Sequence, residues 1–188
     1  KQLVEENNFS SSKKGNISTL DITDKYVNSF EIKKYNLRVV VDTANSVSGL
    51  IVNRMFSGVS LFHLFSELDG SFPNHEPNPL EEKNIKDLKE KVLEHGADIG
   101  IAFDGDGDRV FFVDEKGELI SSDLIIALIA KLIDKKVLYD LRCSNIIKET
   151  ARDSVMWRVG HSFIKKKMKD EDIFFGGESS GHYYLKQG

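Results

Sequence analysis

From Leu37 onward the sequence predicts an α/β protein: two successive domains of mixed sheet flanked by helices, preceded by a helical remnant of a first domain. Three observations predict this. Apolar runs of strand length alternate with amphipathic stretches of helix length. The charged segment Asp134, Lys135 and Lys136 separates two similar rounds of that alternation. The opening 35 residues, by contrast, carry no strand pattern at all.

That opening segment reads as a helix from Lys1 to Asn8, a polar loop holding Ser10, Ser11, Ser12, Gly15 and Asn16, and a second helix with Asp21 as its N-cap. The second helix sets Ile22, Tyr26 and Phe30 on one stripe, which is too small to form a core alone. Strands then follow at LRVVVD (37–42), VSLFHLF (59–65), ADIGIAF (97–103) and RVFFVDE (109–115), with helices at 47–57, 80–95 and 122–133. The second round has the strand KVLYDL (136–141), a helix from Ser144, the strand VMWRV (155–159), a helix from Ser162, and the strands DIFFG (172–176) and HYYL (182–185). The expected division is therefore 1–35, 36–133 and 134–188. The sequence starts at Lys1 without a methionine and stops in a strand-like stretch, so both ends read as cut from a longer protein.

Composition excludes several classes of function. A formal charge of −4 argues against a general nucleic-acid binder, whose phosphate contacts demand a basic surface. No apolar run approaches the roughly 20 residues that span a bilayer, which argues against a membrane role. Cys143 is the only cysteine and has no internal partner, which fits a reducing, cytoplasmic compartment.

The motif DGDGDR, Asp104 to Arg109, falls between an apolar strand and the next one. Glycines between Asp104, Asp106 and Asp108 let the backbone curl until three carboxylates converge, and such like charges repel unless a cation joins them. Hard oxygen donors select magnesium, calcium or manganese. A solvated acidic turn is the plainer alternative. An EF-hand is another, since Glu115 falls at its twelfth position, but Arg109 stands where that loop needs glycine and the flanks read as strands.

A second constellation is GGESSGH, Gly176 to His182. Its small residues keep backbone close to a ligand, while Glu178, Ser180 and His182 offer an acceptor, a hydroxyl and an imidazole suited to sugar hydroxyls. A plain glycine turn is the alternative. The same residues satisfy G-x-S-x-G with Ser179 as nucleophile, yet that motif requires a helix next and HYYL reads as extended. Arg142 ends one strand and His161 opens one helix, places from which a phosphate is bound or a surface is merely capped. The lysines 165, 166, 167 and 169 read as a solvated helix face that adds positive potential, and Cys143 as a small buried hydrophobe. FPNHEPNP (72–79) holds all three prolines and reads as a rigid connection, with His75 a structural hydrogen-bonder.

DGDGDR after GIAF, GGESSGH about 70 residues later, and FPNHEPNP upstream together resemble the α-D-phosphohexomutase family. The likeness is nearest to the phosphomannomutase/phosphoglucomutase branch, which shares the FPNHxPNP connection; the phosphoglucosamine mutase branch, which typically lacks it, is the alternative within the family. It covers Leu37 to Gly188 well and the first 36 residues loosely. The resemblance implies an intramolecular phosphotransferase acting on hexose 1- and 6-phosphates of mannose or glucose through a phosphoserine and a hexose bisphosphate. It implies Mg2+ on Asp104, Asp106 and Asp108, with Arg109 and His161 as catalytic residues, and Arg142, Glu178, Ser180 and His182 on the substrate. It also implies that residues 1–35 end a first domain, and that the phosphoserine loop of domain one and the phosphate loop of domain four lie outside this sequence. The fragment alone is then expected to be inactive. Two departures stand out: Ser46 replaces the first glycine of the family's D-x-x-N-G turn, and Arg142 stands where relatives often carry lysine. Outside the family, a non-catalytic calcium-binding module and a serine hydrolase using Ser179 are the competing functions.

Overall fold

Three consecutive valines set the centre of the first sheet. Their branched side chains favour extended backbone, and Val39, Val40 and Val41 are all buried in β1 (Arg38–Asp42). Burial on both faces demands a layer above and a layer below, and the chain supplies them. Val40 meets Leu64, Ile85, Leu88 and Val92 on one side, while Val39 and Val41 meet Val52 and Ile101 on the other. The structure is a computed structural model that describes residues 1–7 and 15–186.

The sheet runs β2-β1-β3-β4-β5. Strands β2 (Ser60–Leu64) and β3 (Ile99–Phe103) are parallel to β1, whereas β4 (Val110–Val113) and β5 (Leu119–Ile120) complete an antiparallel edge. Among the helices of this layer, α3 (Gly49–Met55) is shorter than the sequence pattern suggests. The expected helix 80–95 divides into a 3₁₀ turn, Glu82–Ile85, and α4 (Lys86–His95), which Gly96 stops in the left-handed conformation. The short strand β5 escapes sequence reading because two residues carry no period.

The second sheet repeats the plan in the order β7-β6-β8-β9. Strand β6 (Val137–Asp140) is parallel to β7 (Ser154–Trp157) and β8 (Phe175–Gly177), and β9 (Tyr183–Leu185) is antiparallel to β8. One face holds α6 (Ile146–Thr150) and the other α7 (His161–Asp170). Helix α5 (Ser122–Ile133) corrects the packing boundary expected near residue 134. Its buried residues Ile126, Ala127 and Ala130 join Val137, Tyr139 and Phe175, so this helix belongs to the core of the second sheet. The charged segment 134–136 is the turn between that helix and its own strand.

The opening segment, Lys1–Glu31, forms a compact unit of its own, and Ile32–Gly188 forms the other. It holds α1 (Gln2–Glu5) and α2 (Thr23–Val27). The N-cap expected at Asp21 falls on Ile22 instead, which makes no side-chain cap; Asp21 Oδ1 accepts from the Thr23 amide two residues on at 2.9 Å, an Asx-type turn ahead of the helix. Tyr26 and Phe30 share a face, their ring centroids 5.2 Å apart, but with Ile22 they stay exposed and form no core, while Val27 is the residue of α2 that is buried. The serine loop at residues 10–12 and the end of the first expected helix at Asn8 lie outside the described residues. No helix among the described residues is long and apolar enough to cross a membrane.

Candidate active site

Parallel strands present their carboxyl ends together, and α/β sheets bind ligands there. Asp104 follows β3, Arg142 follows β6, His161 follows β7, and Glu178 follows β8. Every candidate residue therefore sits past a strand end or in the hairpin that leaves it.

In the first loop, oxygens of Asp104, Asp106 and Asp108 lie within 4.8 Å of one another. Asp104 is buried, while Asp106 and Asp108 are exposed, so the group is anchored at one side and open at the other. Gly107 adopts φ of 73°, a turn that side chains resist, and this turns the chain between Asp106 and Asp108. Arg109 holds the anchor: its Nε donates to Asp104 Oδ2 at 2.6 Å and its amide to Oδ1 at 3.1 Å. Three converging carboxylate oxygens with an open side fit a hard divalent cation completed by water or substrate oxygens. They do not suit a thiophilic metal.

In the second loop, Glu178 is 3% exposed and each of its carboxylate oxygens accepts one hydrogen bond. Oε1 accepts from the Gly160 amide at 3.1 Å, and Oε2 accepts from the Tyr184 hydroxyl at 2.6 Å. Arg142 lies 3.8 Å from Oε1. Behind it, Asp140 accepts from the Arg142 amide at 2.6 Å, from its guanidinium at 2.9 Å, and from the Ser179 amide at 2.9 Å. Burial pushes the Asp140 carboxyl up, but these hydrogen bonds outweigh it and hold the pKa below its ordinary value. Ser179 is thus tied by its amide to a buried carboxylate, and its Oγ lies 3.5 Å from the same Asp140, with no imidazole among its hydrogen-bond partners. That geometry does not support a hydrolase nucleophile.

His182 joins the loops. Its Nε2 lies 3.2 Å from Asp108 Oδ2 and its Nδ1 lies 2.9 Å from Ser180 Oγ. Next to it, the Val110 amide donates to the Gly181 carbonyl at 3.0 Å, which joins the two sheets directly. A cavity of about 920 Å³ opens beside this junction, lined among others by Asp108, His161, Lys165, His182 and Tyr184. Arg142, Glu178 and Ser180 are not on its wall. Of the helix lysines, Lys166 and Lys167 pair with Asp170 and Glu171 one turn on, which leaves Lys165 and Lys169 to face the cavity.

Sequence reasoning missed Tyr184, Asp140 and Gly160. The tyrosines of HYYL read only as part of a strand, but a half-buried hydroxyl needs a partner, and that is the signal Tyr184 offered. Burial and then the Glu178 bond raise its pKa. Asp140 gave no signal beyond an acid at a strand end.

Comparison with known proteins bears on the whole arrangement. The phosphoglucomutase/phosphomannomutase α/β/α domain II profile matches residues 19–117, and the domain III profile matches residues 121–188. A phosphomannomutase/phosphoglucomutase of Pseudomonas syringae pv. tomato is 38% identical over 98% of this chain and 42% of its own length. That of Pseudomonas aeruginosa is 36% identical over 100% and 43%. A crystal structure of a family protein from Burkholderia thailandensis superposes with a TM-score of 0.87 at 33% identity, over 98% of this chain and 43% of that one. This chain therefore spans less than half the length of these relatives. Two profiles in tandem, a shared fold and identities of 33% or more show that the chain belongs to the phosphoglucomutase/phosphomannomutase family.

Proposed function

We propose that this chain forms the metal-binding and sugar-binding centre of a phosphohexomutase, which interconverts the 1- and 6-phosphates of mannose or glucose. The observation that carries the reading is the bridge from Asp108 through His182 to Ser180, which sets a cation loop and a hydroxyl-binding loop in direct contact. Phosphoryl transfer asks a protein chiefly for positioning and charge neutralisation. Mg2+ held by Asp104, Asp106 and Asp108 would supply the positive charge that draws electron density from the transferring phosphoryl group.

The remaining work falls to side chains. Arg109 fixes Asp104 through Nε and leaves its terminal nitrogens for phosphate oxygens. Glu178 and Ser180 take sugar hydroxyls. Because Tyr184 and Gly160 already fix the Glu178 carboxylate, sugar binding loses little side-chain entropy there. Arg142, His161 and His182 orient the substrate phosphate, and His161 stands exposed at the N-terminus of α7 beside the cavity. The donor phosphoserine and the grip on the distal phosphate are assigned to parts of a longer polypeptide, whose second domain would end, and third begin, just before helix α5. A hexose bisphosphate then turns over between the two half-reactions.

The test is a coupled assay with glucose 1-phosphate or mannose 1-phosphate, a bisphosphate activator and Mg2+. The isolated chain is expected to give no turnover, and a polypeptide of the relatives' length to give Mg2+-dependent turnover. Turnover by residues 1–188 alone would place the phosphoryl donor inside them and overturn this division of labour.

A further inference from the structure

The metal loop rests on a second set of side chains. The turn after β1 contains two consecutive positive-φ residues, Ala44 at 46° and Asn45 at 57°, neither of them glycine. L residues hold such a backbone only where their surroundings fix it. Here Asp42 Oδ1 accepts from the Ala44 amide at 2.8 Å, the Asn45 amide donates to the Phe65 carbonyl at 2.8 Å, and Asn74 donates to Asn45 Oδ1 at 2.8 Å. What this turn presents is Ser46, whose Oγ donates to the Asp104 carbonyl at 3.1 Å. Ser48 lies under Gly107, so close that a Cβ there would meet its hydroxyl at 2.6 Å.

The same turn is braced from the proline-bearing connection. His75 Nε2 donates to Asp42 Oδ2 at 3.0 Å, the imidazole side chain 13% and the carboxylate 1% exposed. Two residues on, Pro77 packs against Gly105, inside the metal loop, at 3.2 Å from where a Cβ would stand. A buried ion pair is a costly way to stabilise a fold, since apolar side chains of the same volume do as well or better. Its place behind a strained turn that touches the metal loop suggests a different use.

We propose that the Asp42–His75 pair and Ser46 are positioning residues, which hold Asp104–Asp108 in its cation-binding shape through the 42–48 turn. This rests on reading residues 104–108 as a divalent-metal loop. Ser46 contributes through its hydroxyl a restraint that a glycine there would lack.

The test is Mn2+ titration of the purified chain, read by the electron paramagnetic resonance signal of free Mn2+, with circular dichroism melts in chelator as the measure of folding. His75→Ala and Ser46→Ala are each expected to weaken Mn2+ affinity about tenfold, the low end for residues that orient metal ligands without touching the ion. His75→Gln, which keeps a donor toward Asp42, is expected to recover most of the loss. If His75→Ala fails to fold, Ser46→Ala decides, because losing one hydroxyl leaves the packing in place. Unchanged Mn2+ affinity in the folded alanine variants, whatever their melting temperatures, overturns the proposal. An unaltered chain that binds no Mn2+ removes the metal reading itself, and the positioning role with it.

Discussion

Gly177 ends β8 one residue before Glu178, and Ile126 of α5 is packed onto it. A methyl added at Gly177 would stand 2.4 Å from Ile126 Cγ1 and 2.6 Å from Cδ1. Ile126 is fully buried, so relief requires either a shifted helix or an abandoned rotamer. Overpacking of this kind costs about 1–3 kcal/mol, and two such short contacts place Gly177→Ala near the top of that range. Ile126→Ala removes the clashing atoms but leaves a void, at a cost of about 2–5 kcal/mol. In the double variant the new methyl enters the void, so the combined loss should fall short of the sum by roughly 1–3 kcal/mol. Urea unfolding of the parent, both single variants and the double variant measures this. Trp157, the single tryptophan, lies on β7 of the same sheet and reports the transition. Losses that add within about 0.5 kcal/mol would refute the packing of α5 on β8 and return the helix to the first layer.

Other outcomes follow from the same geometry. Asp106→Asn should weaken Mn2+ binding yet leave the metal-free melting temperature unchanged or higher, because it relieves repulsion among three carboxylates; a large drop without metal would assign the loop to folding. The Asp42 hydrogen bond, working against burial, raises the His75 pKa above its ordinary 6.5. Stability from the charged pair is thus full below the unfolded value and lost as pH rises through the folded one. The melting-temperature gap between parent and His75→Gln should therefore shrink from about pH 6 toward about pH 8.5, and a gap that widens would reverse the assignment; Asp87 and the Glu76 carbonyl face the same ring, and His63, lowered by burial, is common to both proteins. Burial pushes the Cys143 thiol up to about 12, so a disulfide reagent at about pH 8 should label it only after unfolding in urea. In a polypeptide of the relatives' length, Glu178→Gln should raise the KM for phosphosugar and slow turnover, a charged hydrogen bond being worth about 1.5–3 kcal/mol; unchanged kinetics with glucose and mannose phosphates would take Glu178 out of the site.

Much of the fold was legible because valine and isoleucine runs at strand length are hard to place elsewhere: IGIAF, VFFV and VLYD are strands as read. The ends of elements were less so. The strand expected at 172–176 is paired at 175–177, since hydrogen bonding to β6, which no side-chain pattern encodes, decides where pairing starts. Helix α5 was placed in the wrong layer because its apolar face fits either sheet; Gly177 makes room for it in only one. The nine candidate site residues were named from two glycine-rich motifs and two element ends, and the structure connects the motifs through His182. Their supporting residues were not legible. Asp140 and Asp42 act by tertiary contacts 39 and 33 residues apart, with Ser179 and His75, and Tyr184 reaches Glu178 within one hairpin.

The common strand order of the two sheets has a consequence for how such a site changes. Leaving aside β5, both sheets read second, first, third, fourth, and each functional loop is the tip of the hairpin joining third to fourth. The proposed cation capture at Asp104–Asp108 and the proposed hydroxyl capture at Glu178–His182 are thus the same address in two copies of one plan. Each tip hangs from a hairpin whose own backbone pairing does not depend on which ligand the tip holds. Altering the preferred hydroxyl pattern would therefore mean rewriting one tip and its companion Tyr184, while the cation tip, built on the other copy, keeps its three carboxylates in place.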